Sequence, residues 1–247
     1  GLVLKNRPDL REKMWIQSKC GIRIEEFTYF DFSKDYIIKS VDGILQRLKI
    51  DHLDSLLLHR PDALMESDQV AEAFDLLYKQ GKVRDFGVSN QNPMMMELLK
   101  KDVKQPLAVN QLQLSAAFTP GFESGFHVNM EDSQATMRDG SVFEYCKLHD
   151  VVIQAWSVLQ FGYFKGNFVG NEKFQALNQV LDCLAIKYGV TSSTIAISWI
   201  LRYPAKMQAV VGTTNPKHLR EVSQAANFSL TRKEWYEIYL AAGNNLP

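Results

Sequence analysis

Neither sign of charge is in excess: Lys plus Arg and Asp plus Glu number 28 each in the 247 residues, so no net field draws the chain to nucleic acid or to an anionic membrane surface. Cysteine is scarce. Cys20, Cys146 and Cys183 lie far apart and form neither a CxxC pair nor a Cys/His group at zinc spacing, which argues against a disulfide framework and a metal site and fits a reducing cytoplasm. No apolar run approaches the roughly 18 to 20 residues of a membrane span, so a soluble protein is expected. A GxGxxG fingerprint of a Rossmann sheet is also missing. A small neutral or mixed-charge molecule is the expected partner.

What is present is an alternation of short apolar runs with longer stretches of helical period, the pattern of βα units around a parallel sheet. Strands are expected at 14–18, 55–58, 83–88, 107–110, 151–155 and 208–211. Helices are expected at 35–48, 92–101, 173–188, 192–203, 216–226 and 232–242, and between the second and third strands Val70, Ala71, Phe74, Leu77 and Tyr78 share one helical face. The fold class predicted is an α/β barrel of the (β/α)8, or TIM, type forming one domain over residues 1–247, close to the roughly 250 residues such barrels take. Only six strands can be counted where eight are needed, and Leu2-Val3-Leu4-Lys5 reads like the end of a helix already under way. The expectation is therefore a barrel lacking its first two βα units.

In such barrels the chemistry sits at the C-terminal ends of the strands. Reading the polar residues after each apolar run gives Lys19 in Ser18-Lys19-Cys20-Gly21, His59 in Leu58-His59-Arg60-Pro61-Asp62, Ser89-Asn90, Asn110-Gln111, Trp156-Ser157 and Gly212-Thr213-Thr214-Asn215-Pro216. Singly, each has a plain explanation. Lys19 is a solvated charge, His59 a hydrogen-bonded structural residue, Ser89-Asn90 a helix cap, and Trp156 core packing. All six at one rim are less easily accidental.

The last segment is the strongest local signal. Thr214 or Asn215 as N-cap and Pro216 as first helical residue put a helix N-terminus straight after a strand, where amides and the helix dipole make an anion site. Lys217, His218 and Arg220 add donors. Asn90 and Gln111 offer amides suited to a nicotinamide carboxamide, and Trp156 a flat face for the ring. Together these residues could span a dinucleotide.

As a set, the motifs resemble the aldo-keto reductase family, in particular a bacterial oxidoreductase branch sharing the Ser-Lys-Cys-Gly and Leu-His-Arg-Pro-Asp segments. The resemblance implies reduction of an aldehyde or ketone by NADP(H), with Lys19 and His59 as two of the four catalytic residues. The other two, an Asp and a Tyr, lie upstream in the family pattern, and no Asp-x-x-x-x-Tyr precedes Lys19. The resemblance further implies Ser89, Asn90 and Gln111 at the carboxamide, Trp156 against the nicotinamide, Ser157, Leu159 and Gln160 on the loop over the pyrophosphate, and Gly212, Thr213, Thr214, His218 and Glu221 at the adenosine phosphate end. His218 stands where many members have arginine, and Val222 where many have asparagine.

Two other functions compete. One is a non-enzymatic nicotinamide-binding redox sensor or regulatory barrel, since fold does not fix function. The other is a Schiff-base enzyme with Lys19 as nucleophile, which leaves His59, Trp156 and the anion site only loosely explained. The segment from Phe118 to Gly140, with Phe118, Phe122, Phe126 and His127, is expected to shape an apolar substrate pocket or to stay mobile.

Overall fold

A computed structural model describes residues 1–26, 28–126, 141–162 and 164–244. The chain divides into two compact units, Gly1–Asn110 and Gln111–Pro247.

The first unit opens with a short helix α1 (Leu2–Asn6) and a 3-10 turn (Pro8–Lys13) that leads into β1 (Gln17–Cys20). A small antiparallel hairpin, β2 (Ile22–Ile24) and β3 (Thr28–Phe30), follows, and then α2 (Lys34–Leu48). Next come β4 (Leu53–Leu58), α3 (Ser67–Lys79), β5 (Val83–Ser89), α4 (Pro93–Lys100) and the start of β6 (Leu107–Gln113). β1 pairs with β4, and β4 with β5, in parallel.

Every residue of β4 is buried, the mark of a central parallel strand covered on both faces. Helix α3 lays Val70, Ala73, Phe74 and Leu77 against the strands, and Phe74 stacks on Phe86 with ring centroids 4.0 Å apart. Gly87 is required by close approach: a Cβ there would come within 2.6 Å of the Val109 carbonyl oxygen on β6.

The second unit begins with the end of β6 and continues through α5 (Pro120–Phe126), α6 (Val142–Leu148), β7 (Val152–Trp156), α7 (Gln175–Tyr188), α8 (Ser192–Leu201), β8 (Met207–Ala209), α9 (Pro216–Ser223) and α10 (Arg232–Ala241). β7 and β8 pair in parallel, with Gln154 opposite Gln208. Helix α8 is buried from Thr194 to Ile200, which is why its sequence is apolar on every side. Trp199 stacks on Trp235 at 4.8 Å, and each indole N–H donates to the other's backbone carbonyl, at 3.0 and 3.1 Å. Among the described residues no single helix is long and apolar enough to cross a membrane.

Several expected boundaries move. The ladder of β1 starts at Gln17 rather than Met14, because the Ile16 N–H donates to the buried Asp54 carboxylate at 2.7 Å instead of to a strand, and Met14 and Trp15 are exposed. Lys19 consequently lies inside the strand, opposite Leu57. The β2–β3 hairpin, α5 and α6 are not foreseen from the sequence. Phe122, expected to shape a substrate pocket, is a core residue: it is 4% exposed and packs on Phe143, Trp199, Tyr203 and Trp235. Residues 127–140 of the expected pocket segment, including His127, lie outside the described residues.

Candidate functional site

In the first unit, adjacent parallel strands bring Lys19 and His59 together. The His59 N–H donates to the Cys20 carbonyl at 2.9 Å, which carries the pairing of β1 and β4 one residue past β4. Both side chains line one cavity of about 300 Å³ with Tyr36, Lys39, Ser40 and Arg47 of α2. Cys20 also borders this cavity but is 5% exposed, and burial pushes its thiol up to about 12, which keeps it protonated and unreactive. The turn after Lys19 depends on Gly21, whose φ is +100° and whose missing Cβ leaves room for the Phe32 ring. Asp62, 7% exposed, closes this turn by accepting from the Phe32 and Leu64 N–H groups at 3.0 and 2.9 Å.

The electrostatics of the pair are distinctive. Burial, and then the Arg60 charge, lowers the pKa of Lys19. His59 is lowered by burial first and then by Lys19 and Arg60. Desolvation and like charge both favour the uncharged imidazole, so His59 is held as a neutral hydrogen-bonding group next to an ammonium.

At the end of β5, Ser89 is 2% exposed and its Oγ accepts from Asn90 Nδ2 at 3.0 Å. Asn90 has φ +55°, a left-handed conformation that asparagine adopts more readily than most residues. Neither residue caps α4, because Asn92 does so by accepting from the Met95 N–H at 2.9 Å. The Asn110 side chain donates to the Gln91 carbonyl at 2.9 Å. The Gln91 side chain is 1% exposed with neither amide atom hydrogen-bonded. Sequence reasoning passed over Gln91 because glutamine after Ser-Asn reads as loop.

In the second unit, Gln111 is 5% exposed and donates from Nε2 to Gln154 Oε1 at 3.0 Å. Trp156 ends β7 half-buried. The following loop is built, not slack. Ser157 has φ +53°, its carbonyl accepts from the Gln160 N–H at 2.8 Å, and Ser115 Oγ holds the Gln160 carbonyl at 2.6 Å. The Leu159 carbonyl accepts from the Phe168 N–H at 3.1 Å, and Asn178 of α7 clamps the far end by donating to the Phe168, Asn171 and Phe174 carbonyls. Gln160 Oε1 is buried without a partner. Ser115 was also missed; a fully buried serine after a strand carries no local signal.

Asn215 is the N-cap of α9, accepting from the Lys217 N–H at 2.9 Å while its own N–H donates to Thr213 Oγ1 at 3.2 Å. Gly212, Thr214 and His218 are exposed, and nothing lies within 4 Å of a Cβ built on Gly212. Glu221 is half-buried; its carbonyl accepts from Thr194 Oγ1 at 2.9 Å, and its carboxylate lies 3.9 Å from Lys217 Nζ. Helix α9 is thus fixed at its body and open at its N-terminus.

Comparison with known proteins places this geometry in context. The sequence profile of the Aldo/keto reductase family matches residues 1–241. An oxidoreductase of Escherichia coli, YdhF, is 35% identical over 254 residues, covering 100% of this chain and 78% of the relative. A 6-dehydroglucose reductase of Agrobacterium fabrum is 31% identical, covering 97% of this chain and 76% of the relative. Among solved structures, an aldo/keto reductase from Klebsiella pneumoniae in complex with NADP and acetate superimposes with a TM-score of 0.71 at 20% identity, covering 96% of this chain and 73% of that one. The fold class is the α/β barrel expected from the sequence.

Proposed function

Because the chain belongs to the aldo/keto reductase family, we propose that it is an oxidoreductase that uses NADPH to reduce an aldehyde or ketone to an alcohol. The observation that carries this reading is the pairing of Lys19 and His59 on one cavity, with the imidazole held neutral beside the ammonium. A neutral imidazole donates a hydrogen bond to a carbonyl oxygen and orients it, and the Lys19 charge stabilises the negative charge that develops on that oxygen. The same charge lowers the pKa of a tyrosine hydroxyl placed beside it, as the family mechanism uses.

When bound, NADPH supplies the hydride. The residues present fit such a molecule: the buried Gln160 Oε1 lacks a partner on a loop that Ser115 and Asn178 hold by its backbone, and α9 offers an open, capped N-terminus suited to a phosphate. On this reading Ser89, Asn90 and Gln111 hold the carboxamide and Trp156 the ring. Ser157, Leu159 and Gln160 lie along the pyrophosphate, and Gly212, Thr213, Thr214, His218 and Glu221 hold the adenosine phosphate end. The reading includes one barrel domain over the chain, NADP(H) in preference to NAD(H), a small carbonyl substrate and a cytoplasmic location.

The test is to titrate NADPH and NADH separately while following tryptophan fluorescence, in the native protein and in Trp156→Ala. Quenching by NADPH at lower concentration than by NADH, and weakened in Trp156→Ala, supports the proposal. Absence of binding by either nucleotide overturns it. Oxidation of NADPH in the presence of an aldehyde panel then supports a reductase over a nucleotide-binding sensor.

A further inference from the structure

Glutamines from three strands form a directed chain in the second unit. Gln111 Nε2 donates to Gln154 Oε1 at 3.0 Å, and Gln154 Nε2 donates to Gln208 Oε1 at 2.9 Å. The strand register sets this up, since Gln154 stands opposite Gln208 in the parallel pair of β7 and β8. Gln154 also lies two residues before Trp156, and residues two apart in a strand share a face. The inner link is the more sheltered: Gln111 is 5% exposed, whereas Gln208 lies at the exposed end of the chain.

A side-chain amide is nearly symmetric in shape but not in chemistry. Turning it over exchanges a donor for an acceptor. With Gln154 accepting from it, Gln111 directs its nitrogen toward β7 and its oxygen to the other side, and it cannot turn over unless Gln154 turns as well. We propose that Gln154 is a positioning residue that fixes the orientation of the Gln111 amide for the nicotinamide carboxamide, with Gln208 as the outer link of the same chain. The inference rests on the reading of Gln111 as a carboxamide partner.

A double-mutant cycle tests it on the 247-residue chain, with NADPH and adenosine bisphosphate, which lacks the nicotinamide, as probes. Gln154→Leu is expected to weaken NADPH binding about tenfold, the scale of one sheltered hydrogen bond, and to leave adenosine bisphosphate binding within about twofold. In a Gln111→Ala background the same substitution is expected to have no further effect on NADPH, because the group it orients is gone. Gln154→Glu, which still accepts from Gln111, is expected to retain most of the NADPH affinity. Additive losses in the cycle, or equal losses for both probes, would show general packing at Gln154 and overturn the proposal. If Gln154→Leu does not fold, Gln154→Asn, equally polar but one methylene too short, serves in the same cycle with the same two outcomes. Failure of the native chain to bind NADPH at all is a different result and sinks the functional reading itself.

Discussion

Strands β4 and β8 make opposite environments for the residues that follow them. All six residues of β4 are buried, whereas no residue of β8 is. After β4 comes His59, half-buried and with its pKa lowered; after β8 come Thr214, Asn215 and His218, all exposed. The difference matches what each end is proposed to do. A group that polarises a carbonyl oxygen gains from desolvation, because charges and dipoles act more strongly where water is excluded. A phosphate can be held at the water's edge by amides, a capped helix N-terminus and mobile cations, at the cost of screening by salt.

The contrast can be broken most forcefully at two glycines. Gly87→Ala drives a methyl group to 2.6 Å from the Val109 carbonyl oxygen, a backbone atom that cannot swing aside. A loss of about 3 kcal/mol in urea unfolding is expected. Gly212→Ala points into open space and is expected to stay within about 0.5 kcal/mol. Gly87 lies on β5 against Leu57 of β4, so equal effects at the two positions would mean that the surroundings of β4 and the segment after β8 are packed alike.

Next in size is the cap of α9. Asn215→Ala removes the acceptor for the Lys217 N–H and is expected to cost about 1 kcal/mol of stability, with a parallel loss of adenosine bisphosphate affinity. Finding the stability loss without the affinity loss would separate α9 from the phosphate. Smaller still, His218→Arg puts a permanent, forked cation on the exposed first turn and is expected to tighten adenosine bisphosphate about threefold at low salt, with the gain disappearing at high salt. A gain that survives high salt would point to a sheltered contact that the exposed turn does not offer.

The same contrast explains what was legible in the sequence. The buried Leu56-Leu57-Leu58 run and the apolar stripe of α3 read directly, because burial on both faces leaves an uninterrupted signal. Lys19, His59, Ser89 and Asn90 were legible as polar residues interrupting such runs. The β2–β3 hairpin was not, because three-residue strands are too short to show a period. Phe122 was misread for a related reason. Its neighbours in sequence are loop formers, and only the fold reveals the aromatic cluster around it. Gln154 and Gln208 lay within recognised strands, but nothing in the sequence marks a glutamine as one link in a chain across three strands.

The smallest effect bears most closely on the chemistry. His59 is lowered from its ordinary value of 6.5 by burial first and by Lys19 and Arg60 after it. Between its lowered folded value and 6.5 the unfolded chain therefore holds more protons than the folded one, so His59 makes stability fall as pH falls through that window. Lys19→Met removes one of the lesser causes and keeps the bulk. The His59 ring resonance, followed by NMR across the titration, is expected to report a higher pKa in this variant while remaining below 6.5. The acid-side loss of stability should shrink with it. An unmoved titration would place Lys19 beyond electrostatic reach of the imidazole and remove the basis for their joint action. Full recovery to 6.5 would make charge, rather than the dryness of the β4 end, the reason that His59 stays neutral.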